Sequence, residues 1–288
     1  MPRSSPAGIR LLISDVDGTL VTNDKRLTGR VAAAARALEA AGITLAVTSS
    51  RPAAGMRMLI EPLHLTTPIA AFNGGLIVTP EKLAPIERNA VPPDVARRAV
   101  DFLAGCGAGV WLFTEWDWLV RDRSAAYVDH EIRTVRMQPK LVERFDRPGV
   151  IDHAFKIVGV SADFDRLARC ERELAGELGA NATVKRSQLY YLDVTHPLAN
   201  KGHAARRLSA LLGIPLAAIA AIGDGENDIA MFEVCGFSVA MGNAGPEVRQ
   251  AADVMTASNE EEGFAVAVER WMLPRGAGRA VAVGEGSR

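Results

Sequence analysis

The sequence predicts an α/β protein with a Rossmann-like core, in which helices cover both faces of a parallel sheet, and an inserted α+β domain. Three observations predict this fold. Apolar, β-rich runs recur along the chain, and each ends abruptly in a small or polar cluster. Such near-continuous runs are typical of strands that are covered on both faces. Helical patterns lie between the runs, and a segment with its own helices and strands precedes the last one.

Four apolar runs are predicted to be strands of the core sheet. Alternation with helices implies right-handed crossovers, which make the strands parallel. Ligands of open α/β sheets bind outside the carboxyl ends of the strands, which lie at one edge. The polar clusters are therefore predicted to converge on one crevice. The runs with their clusters are "IRLLIS" with "DVDGT", "ITLAV" with "TSSRP", "PIAAF" with "NGG", and "LAAIAAI" with "GDGEND".

The remaining elements divide the chain into domains. "RVAAAARALEAAG" predicts a helix that Thr28 caps and that ends at Gly42. The inserted segment predicts helices in "PPDVARRAVDFLA" and "ADFDRLARCERELAGEL" and strands in "GVWLFT", "AFKIVGVSA" and "ATVKRSQLYYLDV". The predicted division is a discontinuous core, 1–84 and 191–273, a cap, 85–190, and a disordered tail, 274–288, which is rich in Gly, Ala and Arg.

Composition excludes several classes of partner. The 288 residues carry a formal net charge of −1, which provides no basic surface for nucleic acid and no polybasic signal for a membrane. Nowhere do 18 apolar residues run together, so no membrane span is expected. Three scattered cysteines, Cys106, Cys170 and Cys235, favour a reducing compartment, and we expect a cytoplasmic protein. The sequence carries no signal for the oligomeric state.

Aspartates follow the first and the fourth predicted strand. Asp15 and Asp17 lie in the first cluster, and Asp224 and Asp228 lie in the last. If these carboxylates meet in one crevice, their mutual repulsion requires a cation. Oxygen ligands alone favour a hard ion such as Mg²⁺, which proteins typically bind with one or two carboxylates and a substrate phosphate. The aspartates therefore favour phosphoryl chemistry.

Other residues could bind the phosphate. Lys201 begins an amphipathic helix, where free N–H groups and the helix dipole also favour an anion. A hydroxyl from "TSSR" and the N–H groups of the Gly18-Thr19 turn would complete the phosphate site. The sequence has no P-loop and no GxGxxG motif after a strand, so a nucleotide is not required.

Each motif also has a purely structural interpretation. Asp-Gly is a common turn, aspartates often cap helices, and a lysine at a helix end is usually solvated. For Asn73 and Asn243, a tight turn and a substrate contact are equally good explanations. The pair Lys185-Arg186 fits either an acidic substrate or an exposed strand edge. The tryptophans of "WLFTEWDWLV" favour apolar packing over stacking on a substrate.

The order of the motifs resembles that of the haloacid dehalogenase superfamily. The matching features are "DVDGTL", a hydroxyl that ends the second strand, "NKG" and "GDGENDIAMFE". With the insertion after "FNGG" and the ending "AMGNA…ADVMTASNEEEGFA", the chain is similar to the Cof-type, class IIB branch, whose cap is of the C2 type. This resemblance implies Mg²⁺-dependent hydrolysis of small phosphorylated metabolites, mainly sugar phosphates, through an aspartyl-phosphate.

The resemblance also implies a role for each matching residue. Asp15 matches the nucleophile, Asp17 the general acid and base, and Lys201 the lysine that stabilises phosphate and nucleophile. The implied metal surroundings are Asp15, the main-chain carbonyl of Asp17, Asp224, Asn227 and Asp228. Taken together, the predicted phosphate- and substrate-binding residues are Ser49 or Thr48, Gly18, Thr19, Asn73, Gly74, Arg51 and Asn243.

The second motif departs from the family pattern. Related chains usually have Thr-Gly-Arg, whereas this chain has Ser49-Ser50-Arg51. Counting back from Arg51 selects Ser49, but Thr48 is one place away and chemically equivalent. Two other functions remain open at this stage, a phosphomutase-type transfer and a non-catalytic metabolite-binding protein on the same scaffold.

Overall fold

The computed structural model describes residues 8–273. Its strands and helices, in chain order, are β1 (Leu11–Ser14), α1 (Gly29–Ala40), β2 (Thr44–Val47), α2 (Arg57–Ile60), β3 (Ile69–Ala71), β4 (Leu76–Val78), β5 (Pro85–Arg88), α3 (Pro93–Gly105), β6 (Gly109–Phe113), β7 (Trp118–Val120), α4 (Val128–Val135), β8 (Lys140–Leu141), β9 (Lys156–Val160), α5 (Phe164–Leu178), β10 (Thr183–Gln188), β11 (Tyr191–Thr195), α6 (Lys201–Leu212), β12 (Ile219–Gly223), α7 (Ile229–Phe232), β13 (Phe237–Ala240), α8 (Pro246–Ala251), β14 (Val254–Met255) and α9 (Gly263–Ala267).

The core contains a five-stranded parallel sheet in the order β14-β13-β12-β1-β2. Helices α1 and α9 pack on one face of this sheet, and α6, α7 and α8 pack on the other. The predicted parallel sheet with helices on both faces is therefore confirmed. Strands β13 and β14 were not predicted, because their short segments lack the long apolar run that marks β1 and β12.

The third predicted strand does not join this sheet fully. Strand β3 forms an antiparallel sheet with β4 and β5, and one isolated parallel bridge, Thr48 to Ala70, connects it to the end of β2. The chain reverses directly after β3, where Phe72, Asn73 and Gly74 all have positive φ. This reversal pairs β3 with the next segment instead of leading into a crossover helix.

A second, six-stranded sheet lies within the insertion, in the order β10-β11-β9-β6-β7-β8. Its strands are antiparallel to their neighbours except for the pair β7–β8. Helices α3 and α5 cover one face. The apolar side chains of the other face, including Trp111, Phe113 and Tyr191, continue into the core cluster of the parallel-sheet domain. The inserted α+β domain is therefore present.

Strand pairs of the structure cross two of the predicted domain boundaries. The segment "ATVKRSQLYYLDV", predicted as one strand, forms the hairpin β10–β11. Strand β11 also pairs with β9, so the second sheet extends to Thr195, beyond the predicted boundary at 190/191. The boundary at 84/85 separates β5 from its partner β4. The predicted tail, 274–288, lies outside the described residues.

Helix α1 shows why the sequence could predict local elements. Thr28 is the N-cap, and its Oγ1 accepts a hydrogen bond from the N–H of Val31 at 3.2 Å, while Gly42 has a φ of +74° just beyond the end. Both signals are local, so they can be identified in the sequence. None of the helices in residues 8–273 combines the length and apolar character that crossing a bilayer requires.

Candidate active site

Three aspartates from two distant segments meet at the carboxyl edge of the parallel sheet. Asp15 directly follows β1, and its N–H donates to the carbonyl of Ile222 in β12 at 3.0 Å. Asp224 directly follows β12, and Asp228 is one turn further on. One carboxylate oxygen from each aspartate lies within 4.8 Å of the other two. The neighbouring positions of β1 and β12 in the sheet bring these carboxylates together.

Lys201 places a buried positive charge among these carboxylates. Its Nζ lies 2.5 Å from Oδ1 of Asp15 and 2.5 Å from Oδ1 of Asp228. Lys201 is the first residue of α6, and the N-cap Asn200 accepts a hydrogen bond from the N–H of His203. A Cβ on Gly202 would lie 2.5 Å from the carbonyl oxygen of Ala230, so this glycine lets α6 approach α7 closely. The lysine is therefore fixed by the packing of its helix.

The charges in this cluster are not balanced by the protein alone. Burial raises the pKa of Asp15 well above its usual value, Lys201 opposes this effect, and Asp228 and Asp224 add to it. Burial and the charge of Asp228 raise the pKa of Asp224 to about 6. Burial disfavours the ammonium form of Lys201, but the two carboxylates beside it prevail and raise its pKa. One ammonium group faces three carboxylates, so the donor set fits an additional hard cation.

Three residues predicted to bind substrate lie around the carboxylate of Asp224. Gly18 has a φ of +76°, and a Cβ there would lie 2.2 Å from Oδ2 of Asp224. Nδ2 of Asn243 donates to that Oδ2 and to the carbonyl of Gly18, both at 3.0 Å. Oγ1 of Thr19 donates to Oδ1 of Asp224 at 3.3 Å. Glycine 18 provides the space and the other two side chains orient the carboxylate.

The predicted pair Asn227 and Asp228 divides into two environments. Oδ2 of Asp228 accepts hydrogen bonds from the N–H groups of Asp224 at 3.0 Å and Gly225 at 2.9 Å, so this carboxylate closes the loop and also binds Lys201. The side chain of Asn227 has a different partner, and its Nδ2 donates to Oδ1 of Asn73 at 3.1 Å. Asn227 therefore connects two loops.

The side chain of Asp17 is held by two cations. Nε and Nη2 of Arg51 contact its two oxygens at 2.6 and 2.7 Å, and Nζ of Lys25 lies 2.7 Å from Oδ1. Burial acts to raise the pKa of Asp17, but Arg51 and Lys25 outweigh it and lower the pKa. Arg51 was predicted to bind substrate, yet its buried guanidinium is engaged by Asp17 and the carbonyl of Gly55. Lys25 was not predicted, because a lysine in a polar turn carries no distinguishing pattern.

The two candidate hydroxyls differ in their hydrogen bonds. Oγ of Ser49 accepts a hydrogen bond from the N–H of Arg51 at 3.1 Å, which leaves the hydroxyl proton available to donate. Oγ1 of Thr48 is buried and has no hydrogen-bond partner within residues 8–273. Val47 lies opposite Ser14 in the sheet, so Thr48 is level with Asp15. Both hydroxyls therefore remain candidates for contact with a phosphate.

The predicted loop at Asn73 and Gly74 lies beside this motif. The N–H of Asn73 donates to the carbonyl of Ser49 at 2.7 Å. Gly74 has a φ of +94°, and a Cβ there would lie 2.7 Å from Cβ of Ala204 in α6. Gly74 thus lets the loop approach the helix that carries Lys201, which supports the structural interpretation of this glycine.

The charged pair of the insertion does not act as a unit. Residues 185 and 186 are adjacent in β10, so their side chains point to opposite faces of the sheet. Nζ of Lys185 lies 2.8 Å from Oε2 of Glu226 in the core, whereas Nε of Arg186 lies 2.8 Å from Oε2 of Glu171 in α5. Only Lys185 lies on the side of the active-site crevice.

The tryptophans of the insertion mainly pack. Trp111 and Trp118 are buried, and their rings meet edge to face with centroids 5.1 Å apart. Trp116, in the turn between β6 and β7, is 52% exposed. The packing role favoured from the sequence fits the two buried rings.

Comparisons with known proteins place this geometry in context. A family model described as haloacid dehalogenase-like hydrolase matches residues 12–268. An HMP-PP phosphatase of Cronobacter sakazakii is 30% identical, over 83% of this chain and 86% of that protein. A 5-amino-6-(5-phospho-D-ribitylamino)uracil phosphatase of Bacillus subtilis is 25% identical, over 91% of this chain and 98% of that protein.

The same comparison extends to solved structures. The crystal structure of a haloacid dehalogenase-like hydrolase from Bacteroides thetaiotaomicron superposes with a TM-score of 0.84 and 28% identity, and the match covers 91% of this chain and 99% of that one. The family model covers both the parallel sheet and the insertion. The chain therefore belongs to the haloacid dehalogenase-like hydrolase family and is an enzyme of the phosphatase type.

Proposed function

We propose that this protein is a Mg²⁺-dependent phosphomonoester hydrolase that acts on small phosphorylated metabolites, with sugar phosphates as the substrate class. The reaction would proceed through a phosphorylated Asp15. The observation that carries this proposal is the buried contact of Lys201 with Asp15 and Asp228, beside Asp224. A carboxylate that is both buried and paired with a fixed cation suits attack on an anionic ester.

The donor set supports a magnesium site. Asp15 and Asp224, with the main-chain carbonyl of Asp17, would hold the ion, because both oxygens of Asp228 are already engaged, Oδ1 by Lys201 and Oδ2 by the N–H groups of Asp224 and Gly225. When bound, the ion supplies positive charge that offsets the repulsion between the phosphate and Asp15. At about 4 Å and an effective dielectric constant near 20, one such repulsion is on the order of 4 kcal/mol.

The residues of the chain would divide the chemistry between them. An oxygen of Asp15 attacks the phosphorus, the bond to the leaving oxygen breaks, and Lys201 stabilises the charge. Asp17 donates a proton to the leaving oxygen and later accepts one from the water that hydrolyses the aspartyl-phosphate. The pairing with Arg51 and Lys25 favours the carboxylate form needed for the second step, so proton donation requires this pairing to loosen.

Phosphate release should depend on a divalent ion. Purified protein is expected to release phosphate from p-nitrophenyl phosphate and from a panel of sugar monophosphates with Mg²⁺, to lose this activity in EDTA, and to regain it when Mg²⁺ is restored. Turnover without a metal would contradict the proposal. Isomerisation of a sugar phosphate with little free phosphate would indicate a phosphomutase, and binding without either product would indicate a binding protein.

The hydroxyl that contacts the phosphate can be identified with two matched variants. We expect Ser49→Ala to raise KM for p-nitrophenyl phosphate about tenfold, because a hydrogen bond to a charged group is lost. Thr48→Val, which removes the neighbouring hydroxyl at similar volume, should leave KM within about twofold, as expected when no bond to the substrate is lost. Steady-state kinetics measure both values. The reverse result would assign the phosphate contact to Thr48.

A further inference from the structure

A polar cluster lies on the face of the second sheet that is turned toward the core. Leu192 and Val194 of β11 point toward helices α3 and α5, so Tyr191 and Asp193 point the other way. On β9, Ile157 packs with the helices, which places Lys156 on the same core-facing side as Asp193. Two oppositely charged side chains therefore lie on the core-facing side of the second sheet.

The ammonium group of Lys156 is poorly satisfied although it is buried. Lys156 is 6% exposed. Its Nζ lies 3.4 Å from the carbonyl oxygen of Ser50 and 3.6 Å from Oδ1 of Asp193, and it approaches the rings of Phe113 and Tyr191 with centroid distances of 5.4 and 5.2 Å. Charge-assisted hydrogen bonds normally measure about 2.7–2.9 Å. The three donors of this ammonium group therefore lack close acceptors among the described residues.

The carboxylate beside it is also incompletely paired. Oδ1 of Asp193 is buried, and within residues 8–273 it has no hydrogen-bond partner. Buried polar atoms without partners are rare in native proteins, and a bound ligand is one cause. Lys156 and Asp193 thus form a long ion pair that leaves further donor capacity on the ammonium group and further acceptor capacity on Oδ1.

This pair lies next to the proposed acid and base. Ser50, which Lys156 contacts, directly precedes Arg51, whose guanidinium binds Asp17. Glu131 of α4 accepts a hydrogen bond from the Tyr191 hydroxyl at 3.1 Å. Burial raises the pKa of Glu131, Lys156 opposes this, and the charges of Asp193 and Asp17 contribute to the rise. Asp17 is therefore close enough for its charge to reach this cluster.

We infer that Lys156 and Asp193 form the subsite for the leaving group and select an uncharged, polyhydroxylated one. The inference rests on the proposed function, because it requires a phosphate ester whose leaving oxygen faces Asp17. An ammonium donor beside a carboxylate acceptor can bind adjacent hydroxyl groups of one ligand. Two carboxyl groups, Asp193 and Glu131, lie beside the single ammonium group of Lys156, so the cluster has no surplus positive charge to bind a second phosphate on the leaving group.

The subsite can be tested by comparing substrates with and without hydroxyl groups. The variant Lys156→Met keeps an unbranched side chain but removes the donor. For the sugar monophosphates that the wild-type enzyme hydrolyses, we expect kcat/KM relative to p-nitrophenyl phosphate to fall about 10- to 100-fold, the range for loss of a charge-assisted hydrogen bond. Lys140→Met is the matched control, since Lys140 is an exposed cap lysine that pairs with Asp117 at 2.7 Å.

A second variant gives a signature that a merely structural role would not produce. Asp193→Asn removes a negative charge at nearly constant volume, so sugar bisphosphates should gain kcat/KM relative to sugar monophosphates. This comparison tests the subsite even if the Lys156→Met variant does not fold. Unchanged substrate ratios in active variants, or an equal loss on every substrate, would overturn the subsite alone. A wild-type enzyme that releases no phosphate from any ester would overturn the proposed function and the subsite together.

Discussion

Asp15→Asn is expected to abolish phosphate release, by roughly a thousandfold or more in kcat, while the protein remains folded. An amide cannot form the proposed phosphorylated intermediate, and it also removes one of the three carboxylates that meet at the sheet edge. Phosphate release from p-nitrophenyl phosphate in saturating Mg²⁺ measures the loss. Retention of a substantial fraction of wild-type kcat would rule out Asp15 as the nucleophile.

The same variant should keep or gain thermal stability in the absence of metal. The pKa of Asp15 is raised in the folded state, first by burial. A carboxyl group with a raised folded pKa binds its proton more tightly in the folded protein, so its ionisation lowers stability as the pH rises above its usual value. Asparagine removes this unfavourable charge, and Lys201 is not left without an anion because it keeps its contact with Asp228. Asp146→Asn, at an exposed cap aspartate that pairs with Arg144, is the matched control and should change neither kcat nor Tm appreciably.

Lys201→Met is expected to reduce both activity and stability. Removing the ammonium leaves the carboxylates of Asp15 and Asp228 buried without their cation. Breaking a buried ion pair at one partner typically destabilises a protein by about 3–5 kcal/mol. Chemical denaturation without metal measures this change, and added Mg²⁺ should recover part of it because the ion supplies positive charge at the same carboxylates.

An exposed lysine provides the control for this substitution. Lys185→Met breaks an ion pair with Glu226 in which both side chains are about 60% exposed. Surface pairs contribute about 0–1 kcal/mol, so the free energy of unfolding should change far less than in Lys201→Met. If the two variants unfold at the same denaturant concentration, Lys201 does not stabilise the carboxylate cluster as inferred.

The sequence could predict the convergence of the aspartates because that convergence follows from topology. Buried parallel strands are visible as apolar runs, and the residues that follow them must lie at one edge. Asp15 and Asp224 each follow one of two neighbouring parallel strands, so they lie together at that edge. Strand β3 departed from the same rule because a reversal with positive φ at Phe72 and Asn73 turned the chain back on itself. A positive φ at a residue other than glycine is difficult to predict from the residue type.

The partners of the site residues were less predictable. Arg51 and Lys25 bind Asp17 through contacts that depend on how loops pack. The spacing of apolar residues, which predicts helices and strands, does not predict such contacts. The position of Lys156 near Ser50 depends on how the second sheet docks on the core. The opposite directions of Lys185 and Arg186, in contrast, follow from the two-residue period of a strand and were accessible from the sequence once β10 was recognised.

The space beside Gly18 makes two distant parts of the chain depend on each other. Its positive φ alone would tolerate asparagine, as many turns do, but the oxygen of Asp224 occupies the volume that any side chain would need. A mutation at position 18 can therefore survive only if the carboxylate at position 224 is displaced. We therefore expect a side chain at position 18 to push the Asp224 carboxylate out of the aspartate cluster even where the chain still folds.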